Sequence, residues 1–215
     1  MPPQLKTGIL QVIVLASIII LASSDFGCAP SRLTNMWRDS AFKSSPMTNM
    51  LIIAAKKNPV NRRMWEDEIA SELSVHGARS TPSYRLFADS IPDPDQVGAA
   101  VRKQKFDGVL FIRKLSTETS TNYIPGVVKS VAVTKYNERT QTYTTFYQNV
   151  QEPGYTDTNK VVRHEASVFT TEENGRLVWA GTGEMINPSS REEVRSEITD
   201  LIVPELARQG IIPAK

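Results

Sequence analysis

One cysteine and two histidines in 215 residues leave no disulfide framework within the chain and no zinc site of the Cys/His type. No glycine-rich phosphate loop or G-x-S-x-G elbow is present, and there are no repeats, heptads or long low-complexity tracts. On these grounds no catalytic residue, metal or cofactor is expected. An excess of one charge is also missing. The net charge is +2 and stays so when residues 1–27, which hold Lys6 and Asp25, are set aside. That balance gives no electrostatic reason to expect nucleic acid or a polybasic membrane contact. Hydrophobic residues make up 40% and charged residues 22%, the composition of a globular chain long enough for one domain with a real core.

The only long apolar run is at the start, in "MPPQLKTGILQVIVLASIIILASSDFGC". Lys6 and the chain's amine give a positive flank, and residues 12–22 are apolar except for Ser17. Such a run rises about 16 Å as a helix, against roughly 30 Å of bilayer hydrocarbon. The pattern is that of a secretory signal peptide over residues 1–27, with an uncleaved amino-terminal anchor as the alternative.

Gly27-Cys28 closing this run resembles the processing box of bacterial lipoprotein precursors. The resemblance implies that Cys28 carries diacylglycerol and becomes the first, acylated residue of the mature chain. Several acyl chains would hold the protein firmly at a membrane, where a single one binds only marginally. Ala29, rather than Asp, follows Cys28, which by the same resemblance points to the outer membrane, facing the periplasm. Asp25 and Phe26 stand where the box carries Leu and a small residue. Ala22-Ser23-Ser24 offers a second cut of the A-x-A kind, which would release a soluble periplasmic protein.

Residues 28–48 are rich in Ser, Thr, Asn and Pro and read as a tether, with Trp37 and Phe42 docking its second half. The rest, residues 49–215, reads as one domain. "MLIIAA" (50–55) has the continuous apolar character of a central strand. Trp65, Ile69 and Leu73 recur at helical spacing before Gly77. "RSTPSYRLF" is a second strand, confined to an edge by Pro82. Asp93, Pro94 and Gln96 open a second helix, and "GVLFIRKL" (108–115) is a third strand. Two β-hairpins follow, at 127–150 and 161–185, the second around the turn "ENG". Ser190 and Glu193 cap a last helix, lined by Val194, Ile198, Leu201 or Ile202, and Leu206, in which Pro204 should force a kink or an end. The order β-α-β-α-β, then hairpins and a helix, specifies an α/β sandwich with a mixed sheet and helices packed on it.

The pieces "NPVNRRMWEDEIASELSVHG", "FDGVLFIRKL", "GRLVWAGTGEM" and "IVPELARQGIIP" resemble a group of envelope lipoproteins whose domain is similar to the TolB amino-terminal domain and the CsgG periplasmic core. The resemblance implies fold and compartment, and none of these pieces is catalytic. The strongly amphipathic membrane strands of a CsgG-like pore are missing, and the hairpin at 130–150 shows no clean apolar face for lipid.

Three groups remain as candidate sites. Lys56, Lys57, Arg62 and Arg63 cluster before the first helix, where α/β sheets hold anions, although Arg62–Glu66 and Arg63–Asp67 are spaced for neutralising i,i+4 pairs. His164 adjoins Glu165, but strand neighbours face opposite ways and His164 shares a side with Val162 and Ala166. Tyr136, Tyr143, Phe146 and Tyr147 concentrate in one hairpin, a composition suited to a partner surface. The expectation is a non-catalytic, lipid-anchored envelope protein that binds or helps assemble another envelope component. A soluble periplasmic ligand-binding protein and a periplasmic hydrolase are the alternatives.

Overall fold

The computed structural model describes residues 31–172 and 175–214. The expected signal peptide and the attachment residue Cys28 lie outside the described residues. In chain order the elements are β1 (Ser31–Arg38), β2 (Asn49–Ala54), α1 (Pro59–Val75), β3 (Arg79–Pro82), a 3-10 turn (Ser83–Arg85), α2 (Pro94–Gln104), β4 (Gly108–Ile124), β5 (Val128–Asn137), β6 (Thr142–Gln151), β7 (Tyr155–Thr170), β8 (Leu177–Ile186) and α3 (Arg191–Arg208). Six strands form one sheet in the order β1-β8-β7-β4-β2-β3, and β5-β6 form a second. β2 runs parallel to β3 and β4, while the other pairs are antiparallel. This is the expected mixed sheet with packed helices.

Layering follows from the sequence pattern. β2 is buried on both faces, as its unbroken apolar run requires. Met50 and Ile52 face a core shared with Trp65, Ile69 and Leu73 of α1 and Ile198, Ile202 and Leu206 of α3. Leu51 and Ile53 face a smaller cluster with Phe106 and Val109, covered by Val97 and Val101 of α2. Each helix start is capped. Asn58 accepts from Asn61 N at 2.9 Å, Asp93 and Gln96 exchange both bonds of a capping box, and Ser190 accepts from Glu193 N at 3.0 Å. Among the described residues no helix is long and apolar enough to cross a membrane.

Three expectations are corrected. The segment read as a tether is a sheet strand from residue 31: β1 pairs with β8, with a register shift at which Asn35 takes φ 50°. Its Ser, Thr and Asn content hid it, because an edge strand with one wet face needs few apolar residues. Phe42 is buried there, whereas Trp37 stays largely exposed. Second, of the kink or end expected at Pro204 the end does not occur: α3 runs through the proline to Arg208, as the reading of one helix with the proline inside it required. The buried side chains Ile202, Val203 and Leu206 hold both sides of the proline to the core, and packing overrides the lost hydrogen bond. Third, β4 continues past the apolar stretch to Ile124, paired with β7 until Ile124 meets Tyr155.

That extension carries an arm. Beyond Ile112, β4 is exposed apart from a partly covered Ser116, and both β5 and β6 are exposed except for a half-covered Val133. The sheet breaks where Pro125-Gly126 on one strand lies across from Pro153-Gly154 on the other. Neither proline can donate to a ladder. A Cβ on Gly126 would meet Glu152 O at 2.2 Å, and one on Gly154 would meet the Tyr123 hydroxyl at 2.3 Å. The arm is thus a polar stalk, a Pro-Gly junction and a hairpin tip.

Where no helix covers the sheet, a ladder of alternating charge crosses four strands. Arg32 of β1 meets Glu184 of β8 at 2.5 Å, Glu184 meets Arg163 of β7 at 2.6 Å, and Arg163 meets Glu118 of β4 at 2.5 Å. The hydrogen bond from Arg32, and then that from Arg163, holds the Glu184 carboxyl below its ordinary range.

Candidate functional site

In the tip, register decides what the aromatic residues present. Tyr136 sits opposite Tyr143, with ring centroids 4.9 Å apart. Tyr147, opposite Ala132, shares their face, and between them the Thr134 and Thr145 hydroxyls lie 2.9 Å apart. Phe146 is opposite Val133 on the reverse face, near Val131 and Val150, with Lys135 Nζ 5.4 Å from its ring centroid. The four expected residues therefore share one hairpin but not one surface. Tyr143 and Tyr147 are both 76% exposed, more than any other large apolar or aromatic residue described. Lys129 and Lys135 interrupt the aliphatic face, so neither side offers an unbroken apolar band.

In the basic cluster before α1, Lys56, Lys57 and Arg62 border one small pocket, but Arg62 is committed to a network of its own. Arg62 is buried, and its Nε donates to Glu66 at 3.0 Å. Its other nitrogens reach Phe87 O at 3.0 Å, Ser90 O at 2.6 Å and Ser83 Oγ at 2.7 Å. Glu66, 0% exposed, also accepts from Ala54 N, Ser83 Oγ and Tyr84 N. The expected i,i+4 pair is thus the centre of a satisfied network tying α1 to β2 and the 3-10 turn. Arg63 lies over the Tyr84 ring at 5.5 Å, and the Tyr84 hydroxyl donates to Asp67 at 2.7 Å.

Lys56 and Lys57 border the small pocket with Arg62 and Asp89 and also reach a larger cleft. They line this cleft, of about 600 Å³, together with Lys114, Lys160 and Arg191. It lies past the carboxyl end of β2, between the start of α1 (Asn61) and the start of α3 (Ser189, Ser190). No Asp or Glu lines it. Trp65 and His164 form its floor, stacked at 4.7 Å with 30° between the rings, and Lys56 Nζ is 4.3 Å from the Trp65 centroid. Burial, then the nearby Lys114, lowers Lys56 to about 8. Burial, then Lys56 and Lys114, lowers His164 to about 3, so the imidazole is neutral at pH 7.

His164 is 3% exposed, and its Nδ1 has no hydrogen-bond partner among the described residues. Glu165 turns to the opposite face and pairs with Arg113 at 2.5 Å, so no His–carboxylate relay forms there. Among the described residues no group of three or more His, Cys, Asp or Glu side chains is placed to hold a metal.

Lys114, Lys160 and Arg191 escaped sequence reasoning because they sit far apart along the chain. Only the pairing of Lys114 with His164, and the two-residue spacing of Lys160, Val162 and His164 on β7, brings them to one side.

No protein-family model and no curated protein matches the chain. Among solved structures, a PelC dodecamer from Paraburkholderia phytofirmans is similar at 14% identity, with a TM-score of 0.45 over 87% of this chain and 99% of that one. Lipoprotein GNA1162 from Neisseria meningitidis is similar at 13% identity, with a TM-score of 0.38 over 75% of this chain and 99% of that one. A PDZ domain protein from Parabacteroides distasonis is similar at 11% identity, with a TM-score of 0.38 over 89% of this chain and 39% of that one.

Proposed function

We propose that the protein is a lipid-anchored component of the bacterial envelope, attached through Cys28, that works by binding and not by catalysis, and that its arm engages another envelope protein. The arm carries this reading. Its tip holds a tyrosine face and an aliphatic face, and both are exposed. An isolated two-stranded ribbon is marginally stable in water, and exposed aromatic side chains on such a ribbon gain most when a partner covers them. An anchor at Cys28, just ahead of β1, would hold the domain beside the membrane and leave the arm free to reach a neighbour.

Two measurements test the two halves. Cells fed a labelled fatty acid should incorporate it into the wild-type protein and not into Cys28→Ala; an unlabelled wild type removes the anchor. A photocrosslinker placed at Tyr143 or Tyr147 in the native envelope should capture a discrete partner, identified by mass spectrometry. Tyr143→Ala/Tyr147→Ala should abolish its co-purification while the domain still melts cooperatively. Co-purification at the wild-type level removes the arm from the reading.

A further inference from the structure

We infer that the lysine cleft is a binding site for an organic phosphate, held by Lys57, Lys114, Lys160 and Arg191 above the Trp65–His164 floor. The first ground is charge. Five cations converge on one cleft without a lining carboxylate, and none of the five has an ion pair among the described residues. Gathering like charges without a counter-charge is unfavourable, and a multivalent anion reverses the sign of that interaction.

The second ground is the floor. The Nδ1 of His164 is buried and unpartnered, and this residue lines the cleft. A buried polar atom without a partner is uncommon and calls for a ligand or an ordered water. A neutral imidazole at the floor adds no further repelling cation to the cleft.

The third ground is placement. The cleft opens beyond the carboxyl end of the parallel pair β2 and β4, where open α/β sheets bind ligands, beside Asn61 in the first turn of α1, whose own N–H is already taken by the Asn58 cap. At the start of α3, Glu193 likewise already accepts from Ser189 N at 2.6 Å. A volume of about 600 Å³ is that of a small-molecule site and exceeds what inorganic phosphate fills. Phosphate matches the cations because charge-assisted bonds to Lys and Arg are the strong ones, and the Thr117 and Ser190 hydroxyls supply further donors.

Calorimetric titration of the full chain in a neutral detergent with inorganic pyrophosphate tests the site, with the Trp65 indole NMR signal as the local reporter. Saturable binding is expected at one site per chain. Lys114→Gln/Lys160→Gln should weaken it about a hundredfold, and Arg191→Gln about tenfold. Arg102→Gln/Lys103→Gln on α2 should leave it unchanged. Because these side chains are exposed, all three variants should keep the wild-type melting temperature. No saturation into the millimolar range overturns the proposal, as does equal binding by the cleft variants or an equal loss in the α2 control. Titration with dihexanoylphosphatidic acid and with glycerol phosphate then names the source. Tighter binding of the lipid assigns a membrane headgroup, and equal binding assigns a soluble organophosphate.

Discussion

β4 and β7 pass through two environments, and the contrast between them separates what holds this protein together from what it presents. Over residues 108–112, β4 is apolar and packed beneath helices on both faces. Past a bulge at Leu115 the same strand becomes Ser, Thr and Asn on both faces, with β7 still paired alongside. Pairing with β7 runs through both, interrupted only by the register shift between Lys114 and Ser116. What changes is burial, and burial supplies most of the free energy of folding. The body should therefore respond strongly to core substitutions, and the arm should be thermodynamically local.

The largest effect is expected at the buried charge network of the body. Glu66→Ala leaves the Arg62 guanidinium buried beside an empty acceptor site, and such a loss costs about 3–5 kcal/mol. Urea unfolding followed by tryptophan fluorescence measures it. Arg62→Met/Glu66→Leu should recover most of the loss, since an apolar pair of similar volume removes the stranded charge. A single-variant loss below about 1 kcal/mol would mean that the network contributes no more than a surface ion pair.

The next effect is pH dependence, again confined to the body. In the folded chain His164 is held at about 3 against an ordinary 6.5. Between these values the unfolded chain binds a proton that the folded one does not, so stability falls as pH drops from 6.5 toward 3. At pH 4.5 the contribution amounts to roughly 3 kcal/mol, two pH units at about 1.4 kcal/mol each. Paired melts of wild type and His164→Leu at pH 7 and 4.5 isolate it: the wild type should lose more on acidification. Equal losses would show that His164 protonates freely in the folded state.

How legible each region was follows from the same contrast. β2, α1, α2 and α3 announce themselves by apolar runs, helical periodicity and caps, because their side chains are buried. The stalk half of β4 and the edge strand β1 carry no such signal. Leu33 alone of β1 packs against the main core, and its register is set by β8, far along the sequence. The tip hairpin was legible from its Val/Thr/Tyr pattern and the turn at Asn137, whose side chain accepts from Arg139 N at 3.1 Å. For the basic cluster, local spacing identified the pair of Arg62 with Glu66. The cleft could not be assembled that way, since Lys57, Lys114, Lys160 and Arg191 meet only through tertiary pairing.

A smaller effect belongs to the tip. Tyr136→Ala removes one cross-strand aromatic pair, worth about 0.5–1 kcal/mol to the hairpin. Because the tip touches the body only through the Pro-Gly junction, the loss should appear as faster amide exchange over β5 and β6 alone. Exchange that also quickens in β2 would show that tip and body open as one unit.

The smallest effect is the most direct test of the division. Excising residues 128–151 and joining Val127 to Glu152 by a short turn removes the whole tip. These two residues already lie within one hydrogen bond, Glu152 N donating to Val127 O at 2.9 Å, so the join requires little rearrangement of the stalk. The side chains of β5 and β6 are absent from both core clusters, and no apolar packing leaves the body with them. The body's urea unfolding free energy should therefore change by no more than about 0.5 kcal/mol, the usual range for surface changes. Gly126 and Gly154 keep their purpose in the shortened chain, because the atoms a Cβ would meet belong to Tyr123, Ile124 and Glu152–Gly154, and Gly126→Ala should disturb the junction in both chains. A body that loses more than about 1 kcal/mol on excision would mean that the arm contributes to the fold it extends from, and its exposed aromatic residues would then be weighed as structure before they were weighed as a binding surface.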